Sequence, residues 1–345
     1  MKKISIKDVA REAQVATGTV SRVINDHPSV TEEIRVRVRR VIERLGYEPD
    51  PLARSMRSKI SRLIGIVIPD LLNPFFAELV QHAEQAATSR GHNVIFMTSF
   101  DDVGKEADRL AQLASRKVDG IILVPSNGFH ALKAPKGVPM VVVDRLLPGY
   151  PGISADHRGG AKLAVDYLLK LGHRRIGCIA GPSNSVPAKD RLEGFRDALS
   201  ACPEAAKAST PLIVEAAFDY HSARLASTYL LAMARDERPT AIFTSSDQQA
   251  IGCIRAANDL GIPVPAALSI VSFDRVQLAD IVTPRLTAVR QPIGDIASAA
   301  VATLLDGLKP HAFEAPMHFQ CELVEGESTA PPQVPPPLTA RKDPG

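Results

Sequence analysis

From residue 61 onward, short β-branched runs alternate with stretches of helical periodicity. The runs are "RLIGIVIPD", "NVIFMTSF", "VDGIILVP" and "VPMVVVDR", then "RRIGCIAG", "LIVEAAFDY", "TAIFTSSD" and "LSIVSFD". No other feature limits the fold so tightly. Runs without a polar face need cover on both sides, and strand–helix alternation supplies it by linking parallel strands through helices. The pattern restarts near Arg174, where "RRIGCIAG" echoes "RLIGIVIP". Two parallel α/β sheets are therefore expected, as two lobes flanking a cleft. Ligands of such sheets bind beyond the carboxyl ends of the strands. At 345 residues the chain also exceeds what one compact core holds.

Residues 4–45 read differently, as three short helices. Ile6, Val9, Ala10 and Ala13 repeat with helical spacing in the first. "TGTVSRVIN" forms the second after a tight turn. In the third, Ile34, Val38, Val41, Ile42 and Leu45 make the stripe, with Thr31 as its expected cap and Gly46 as its stop. Val20, Val23 and Ile24 share the inward face of the second helix, while Thr17, Gly18, Ser21, Arg22 and Asn25 face outward. That outward face carries no acid. Small hydroxyl residues let a helix approach a phosphate backbone, and an arginine can pair with guanine O6 and N7. Two short helices with the second in the major groove is the helix-turn-helix geometry. Charge agrees: residues 1–60 hold 13 Lys and Arg against 8 Asp and Glu, a balance of +5, whereas the rest balances at −2. A small helical bundle with a solvated polar face accounts less well for the agreement of length, facing and charge. The expected fold is thus an all-α helix-turn-helix headpiece followed by an α/β core of two parallel-sheet lobes.

"YEPDPLARSMRS" follows the headpiece. Asp50 can cap a helix and Pro51 can begin it; Leu52 and Met56 then share a face beside Arg54 and Arg57. About eight residues is shorter than the ~12–15 that an isolated helix needs, so this one forms only when supported. Apolar side chains beside arginines can wedge into a minor groove; a linker with two chance apolar residues is the alternative. Cys178, Cys202, Cys253 and Cys321 are widely spaced, which argues against disulfides and zinc. The charged "SIKDVARE" after Lys2 and Lys3 is no secretory signal, and no apolar run approaches a membrane span. Dinucleotide, phosphate-loop, nucleophile-elbow and zincin motifs are all missing, so nothing points to an enzyme, a cofactor or a metal.

The stretch "IKDVAREAQVATGTVSRVINDHPSVTEEIRVRVRRVIERLGYEPDPLARSMRS" closely resembles the headpiece and hinge of the LacI/GalR family of bacterial transcription regulators. The likeness continues through "IGIVIPDLLNPFFAELV", "VVVDR", "DHRGGAKLAVDYLLKLGHRRIG", "DRLEGF", "SDQQAIG" and "TAVRQP", from residue 4 to about 329. It implies that Thr17, Gly18 and Arg22 read bases, that Thr19, Ser21 and Asn25 contact the backbone, and that Leu52 and Met56 serve the hinge. Met56 stands where the family usually has a leucine. Ala16 replaces the usual serine cap, so Thr17 is expected to cap the recognition helix.

The resemblance also implies a core like a periplasmic sugar-binding protein, two lobes joined by three crossings. Polyols need polar pairs to grip adjacent hydroxyls and apolar faces to cover the ring. Asn73, Phe75, Phe76, Asp144, Arg145, Arg191, Phe218, Ser246, Asp274 and Gln291 all lie at strand ends or helix starts. Duller roles exist for several: Phe75 and Phe76 as core, Asp144 and Arg145 as a solvated turn, Asp274 as a loop acid. By resemblance the set looks like the site of ribose-responsive regulators, with Ser246 in place of an asparagine.

The expected boundaries are 1–49 for the headpiece, 50–60 for the hinge, 61–160 with 291–321 for one lobe, 161–290 with 322–329 for the other, and 330–345 for a disordered Pro-rich tail. The expected protein is a cytoplasmic homodimer on a palindromic double-stranded DNA operator, released by a monosaccharide such as a pentose. An activator, a corepressor-dependent repressor and a sugar-binding transport protein are the alternatives.

Overall fold

The computed structural model describes residues 4–24, 26–47, 61–128, 132, 134–204, 212–307 and 315–333. Asn25, the hinge residues Asp50, Pro51, Leu52, Arg54, Met56 and Arg57, and the tail from 334 lie outside the described residues. The chain forms two compact units, residues 1–61 and 62–345.

In the first unit, α1 (Ile6–Glu12), α2 (Thr17–Ile24) and α3 (Glu32–Leu45) enclose Val9, Ala10, Ala13, Val20, Val23, Val30, Val38 and Val41. The Asp8 carboxylate takes hydrogen bonds from the Ser5 amide and hydroxyl, at 3.0 and 2.7 Å, and so ties down the start of α1. Thr31 precedes α3 as expected, yet its side chain makes no capping bond. Gly46 ends α3 in the left-handed region, φ +60, where a Cβ is unfavourable. Asp26 anchors the α2–α3 turn by accepting from Arg35 at 2.9 Å and Arg39 at 2.6 Å.

The second unit holds two lobes. The first runs β1 (Leu63–Ile68), α4 (Pro74–Ser89), β2 (Asn93–Thr98), α5 (Val103–Ser115), β3 (Gly120–Leu123), β4 (Met140–Val143) and β5 (Gly152–Ala155). The second continues with α6 (His157–Lys170), β6 (Ile176–Ala180), α7 (Val186–Ser200), β7 (Leu212–Glu215) and α8 (Tyr220–Leu231). It is completed by β8 (Ala241–Thr244), α9 (Asp247–Asp259), β9 (Ser269–Asp274), α10 (Leu278–Ile281) and β10 (Thr287–Arg290). Then α11 (Ile293–Leu305) and β11 (Met317–Phe319) return to the first lobe, and β12 (Glu322–Val324) ends on the second.

The sheets run β11-β5-β4-β3-β1-β2 and β12-β10-β9-β8-β6-β7. All pairs are parallel except β10 with β12. In the first sheet α4 and α11 cover one face and α5 the other. In the second, α6 and α7 cover one face and α8 and α9 the other. Helices on both sides explain why the strands read as unbroken apolar runs.

The chain passes between lobes at Asp156, at Gln291–Pro292 and at Gln320–Cys321. The first crossing lies ahead of the 160/161 boundary read from sequence, which would cut through α6. Beyond 329 the chain is still tied down. Ala330 receives hydrogen bonds at its carbonyl from the buried Ser269 hydroxyl (2.9 Å), and the His173 ring lies at the same distance. The 330 boundary read from sequence therefore falls inside the packed part of the chain.

Helices of the second lobe meet at backbone distance. A Cβ on Gly194 of α7 would collide with the Arg158 carbonyl of α6, and one on Gly252 of α9 with the Tyr220 carbonyl of α8. Neither obstacle is the flexible end of a side chain, so the helices themselves would have to part. Gly194→Ala should therefore cost about 1–3 kcal/mol, read as a lower midpoint in thermal unfolding; an unchanged midpoint would show that the α6–α7 contact yields.

Candidate functional site

Strands of both lobes end at the cleft, and the residues just past those ends form its walls. Asn73 caps α4, its side-chain oxygen accepting from the Phe75 amide at 3.1 Å. This fixes Phe75 and Phe76, whose rings meet edge to face with centroids 5.3 Å apart. Both are buried in the first lobe's core and both also line the cleft, so the two roles read from sequence coexist.

Asp144 follows β4 with φ +66, held there by its amide bonding to the Ile153 carbonyl at 2.9 Å. The left-handed step turns the chain so that Arg145 also faces inward. Arg145 Nη1 donates to Asp101 Oδ1 at 2.6 Å and to the Pro125 carbonyl at 2.9 Å. Asp144 and Arg145 are buried, 8% and 7% exposed, which rules out a solvated turn pair. Asp274, at φ +111 on the end of β9, is buried as well and is no loop acid.

Arg191 projects from α7 into the opposite wall. Its Nη1 donates to the Ser245 carbonyl, and its Nη2 lies 3.3 Å from Asp274 Oδ1. The guanidinium lies over the Phe273 ring at 4.0 Å and near Phe218 at 5.8 Å. Gln291 Nε2 donates to Asp274 Oδ1 at 2.7 Å. The arginine has no route to neutrality, so these partners hold a permanent charge.

Asn73, Phe75, Phe76, Asp144, Arg145, Arg191, Phe218 and Asp274 line one cleft of about 310 Å³, its open mouth included, together with Ser185 and Pro187. Ser246 and Gln291, expected among them, stand behind the wall. The Ser246 hydroxyl accepts from the Gln249 amide at 3.2 Å to cap α9, and Gln291 braces Asp274. Ser185 and Pro187 were missed, although Ser-Val-Pro after a strand marks a helix entry. His157 was missed too, because the short "GISA" strand before it is not a β-branched run.

Several buried atoms around this cleft have no hydrogen-bond partner among the described residues: Asp144 Oδ1, Arg145 Nε, Ser185 Oγ, Ser245 Oγ and Gln291 Oε1. Burial alone would raise the Asp144 pKa. The His157 imidazole, 3.2 Å away, and the charges of Arg191 and Arg145 outweigh it and hold the carboxyl below its ordinary value. Burial pushes Asp274 up against the opposing charge of Arg191. Asp247 beneath it is pushed up by burial and by the charge of Asp274. Among the described residues no set of three His, Cys, Asp or Glu is placed to hold a metal, and no helix is long and apolar enough to cross a membrane.

In the first unit, α2 buries Val20 and Val23 and exposes Thr17, Gly18 and Arg22, with Thr19 and Ser21 half-buried. Asn25 lies outside the described residues. Ala16, not Thr17, occupies the cap position: its carbonyl accepts from the Thr19 amide at 2.9 Å and the Val20 amide at 3.2 Å. Thr17 is the first helical residue and is not the cap expected from sequence. A Cβ on Gly18 would meet nothing within 4 Å, so this face is open. If it reads base pairs, Arg22→Ala should cost about 1–3 kcal/mol on a preferred duplex and relax the choice at one position. Competition gel shifts with single-base variants measure this, and an equal loss on random DNA would reduce Arg22 to a phosphate contact.

A family model described as "Bacterial regulatory proteins, lacI family" matches residues 5–50, and one described as "Periplasmic binding protein-like domain" matches 165–329. The chain is 36% identical over 304 residues to a ribose operon repressor of Halalkalibacterium halodurans, across 87% of this chain and 89% of that protein. Among solved structures, a lac repressor dimer bound to operator and the anti-inducer ONPF superposes with a TM-score of 0.82 at 26% identity, across 95% of this chain and 100% of that one. A LacI family regulator from Enterococcus faecium with bound ribose gives a TM-score of 0.68 at 26% identity, across 79% of this chain and 100% of that one.

Proposed function

This chain belongs to the LacI family of bacterial regulatory proteins and is a DNA-binding transcriptional regulator; we propose that it is a cytoplasmic homodimeric repressor of carbohydrate-uptake or catabolic genes, released from a palindromic operator by a small neutral polyol. The observation that carries this reading is one cleft whose opposed walls bring Asp144 and Arg145 of the first lobe to Ser185, Arg191 and Asp274 of the second, interleaved with phenyl rings. Hydroxyl groups both donate and accept, so a polyol can meet a carboxylate oxygen, a guanidinium N–H and a serine together. Phe75, Phe76 and Phe218 offer apolar surface for the C–H faces of a ring.

Arg145 faces Asp101 and Arg191 faces Asp274, so neither cation of the cleft is left uncompensated to draw an anionic ligand. A pentose such as ribose comes first, supported by the repressor and the ribose-bound regulator described above. Ser246 is turned away from the cleft, so a hydroxyl on that side has one partner fewer.

A single helix-turn-helix reads few base pairs, and two on a two-fold axis read a palindrome. Polyol binding changes the angle between lobes, and residues 50–60 carry the change to the headpieces. A coupling of about 1–3 kcal/mol gives a roughly 5–150-fold loss of operator affinity.

Thermal shifts of the full chain against a sugar panel test the reading. A ligand at 100 times its Kd adds about 2.7 kcal/mol, and the same sugar should weaken binding to palindromic DNA. Asp144→Ala should lose both responses and keep DNA binding. A variant that still releases DNA on adding the sugar removes Asp144 from the site; a wild-type chain blind to every sugar ends the effector reading.

A further inference from the structure

Behind the cleft wall one buried side chain touches both lobes' charged groups. His157 begins α6, directly after the first crossing, and is 3% exposed. Its Nδ1 lies 3.4 Å from Arg191 Nε and 3.3 Å from Arg191 Nη2. Its Nε2 lies 3.2 Å from Asp144 Oδ1 and 3.2 Å from the Ser154 hydroxyl. The ring rests against Phe273 with centroids 5.8 Å apart.

We propose that His157 is a positioning residue of the effector cleft, a single imidazole that sets Arg191 of one lobe and Asp144 of the other at fixed separation. The proposal rests on the cleft being the effector site. A guanidinium only donates, so Nδ1 has to accept and the ring proton sits on Nε2. Nε2–H then points toward Ser154 and stands beside Asp144 Oδ1. Among the described residues that oxygen has no nearer polar side chain, so the imidazole is what the buried end of the carboxyl rests against. Rotating or removing the ring would release both ends of the clamp.

The same geometry gives the site a sign of response to acid. The charged groups facing the ring are Asp144 from the end of β4 and Asp190 and Arg191 from α7, with Asp274 of β9 reached through Arg191. Ser154 of β5 and Phe273 of β9 are its neutral neighbours. Burial, and then the charge of Arg191, hold the His157 pKa below its ordinary value, so the ring is neutral near pH 7. Protonating Nδ1 would set N–H against N–H and charge against like charge. Arg191 must then withdraw, so effector affinity is intact at neutral pH and falls as pH drops through the ring's folded pKa.

Nuclear magnetic resonance of the full chain with ring-labelled histidines tests the bridge without any ligand. His157, assigned by the signal lost in His157→Gln, should carry its proton on Nε2 and titrate below the ordinary histidine value. Asp144→Asn should lower that midpoint further and Arg191→Gln should raise it, opposite shifts that mere packing would not produce. The tightest sugar among D-ribose, D-xylose, L-arabinose, D-glucose and D-fructose then serves as the probe. Its wild-type Kd should rise as the pH is lowered from 8 to 5. His157→Phe keeps the ring packing but should weaken binding about tenfold at pH 8 and flatten the pH profile, and His157→Gln should recover part of the loss. An Nδ1–H tautomer, a midpoint unmoved by both neighbours, or a pH profile retained in His157→Phe would overturn the proposal. If no sugar binds the wild type, the effector reading fails, while the tautomer and the midpoints still decide the bridge.

Discussion

A guanidinium taken out of water keeps all its donors and its charge, and the second unit is arranged around meeting that demand at Arg191. Arg191 is 4% exposed, and its partners come from separate places in the chain. One is the carbonyl of Ser245 after β8, one the carboxylate ending β9, one the imidazole opening α6. Each partner creates a further requirement. Asp274 takes a left-handed backbone to reach the arginine and then needs Gln291 to share its charge. Gln291 stands where the chain crosses between lobes, so a demand that begins with one charge ends by fixing a connection. Removing one member of such a set strands a buried charge, typically at 3–5 kcal/mol.

The two faces the protein offers to partners follow opposite rules. In the cleft both arginines are paired with carboxylates, and polar side chains alternate with phenyl rings. A neutral molecule rich in hydroxyls completes such a surface. On α2 the exposed side chains are small and uncharged except for Arg22, and acids are missing. A polyanion can approach that surface closely. Both faces stand on helices or strand ends whose opposite sides are fully packed, so neither has to be ordered by its ligand before it can recognise it.

Much of this was legible in the residues. The apolar runs placed most strands because helices cover both sheet faces and leave no polar alternation to confuse the reading. β5, β11 and β12 escaped. "GISA" lacks a β-branched run, and three-residue strands carry too little pattern to stand out from a loop. Losing β5 also hid His157, since a residue is recognised as a strand-end group only once the strand is seen. Spacing placed Ser246 at the cleft, but spacing cannot say that its hydroxyl is taken up by a helix cap. Thr17 was assigned the cap for lack of a side chain at Ala16, whereas the Ala16 backbone carbonyl alone opens the helix. Such errors share a cause: sequence shows which groups are available and not which of two partners each one chooses.

The three crossings between lobes bear on how the chain is made. β3, β4 and β5 are among the earlier strands synthesised, yet the helix that covers one of their faces, α11, and the neighbouring strand, β11, are separated from them by the entire second lobe. A ribosome therefore releases a first lobe whose one face is covered by α4 but bare over β3, β4 and β5, and holds it unfinished while more than a hundred further residues emerge. The second lobe can close as a nearly continuous segment in that interval, with only its last strand outstanding. Nascent-chain chaperones would find their surface on the half that was translated first and completed last.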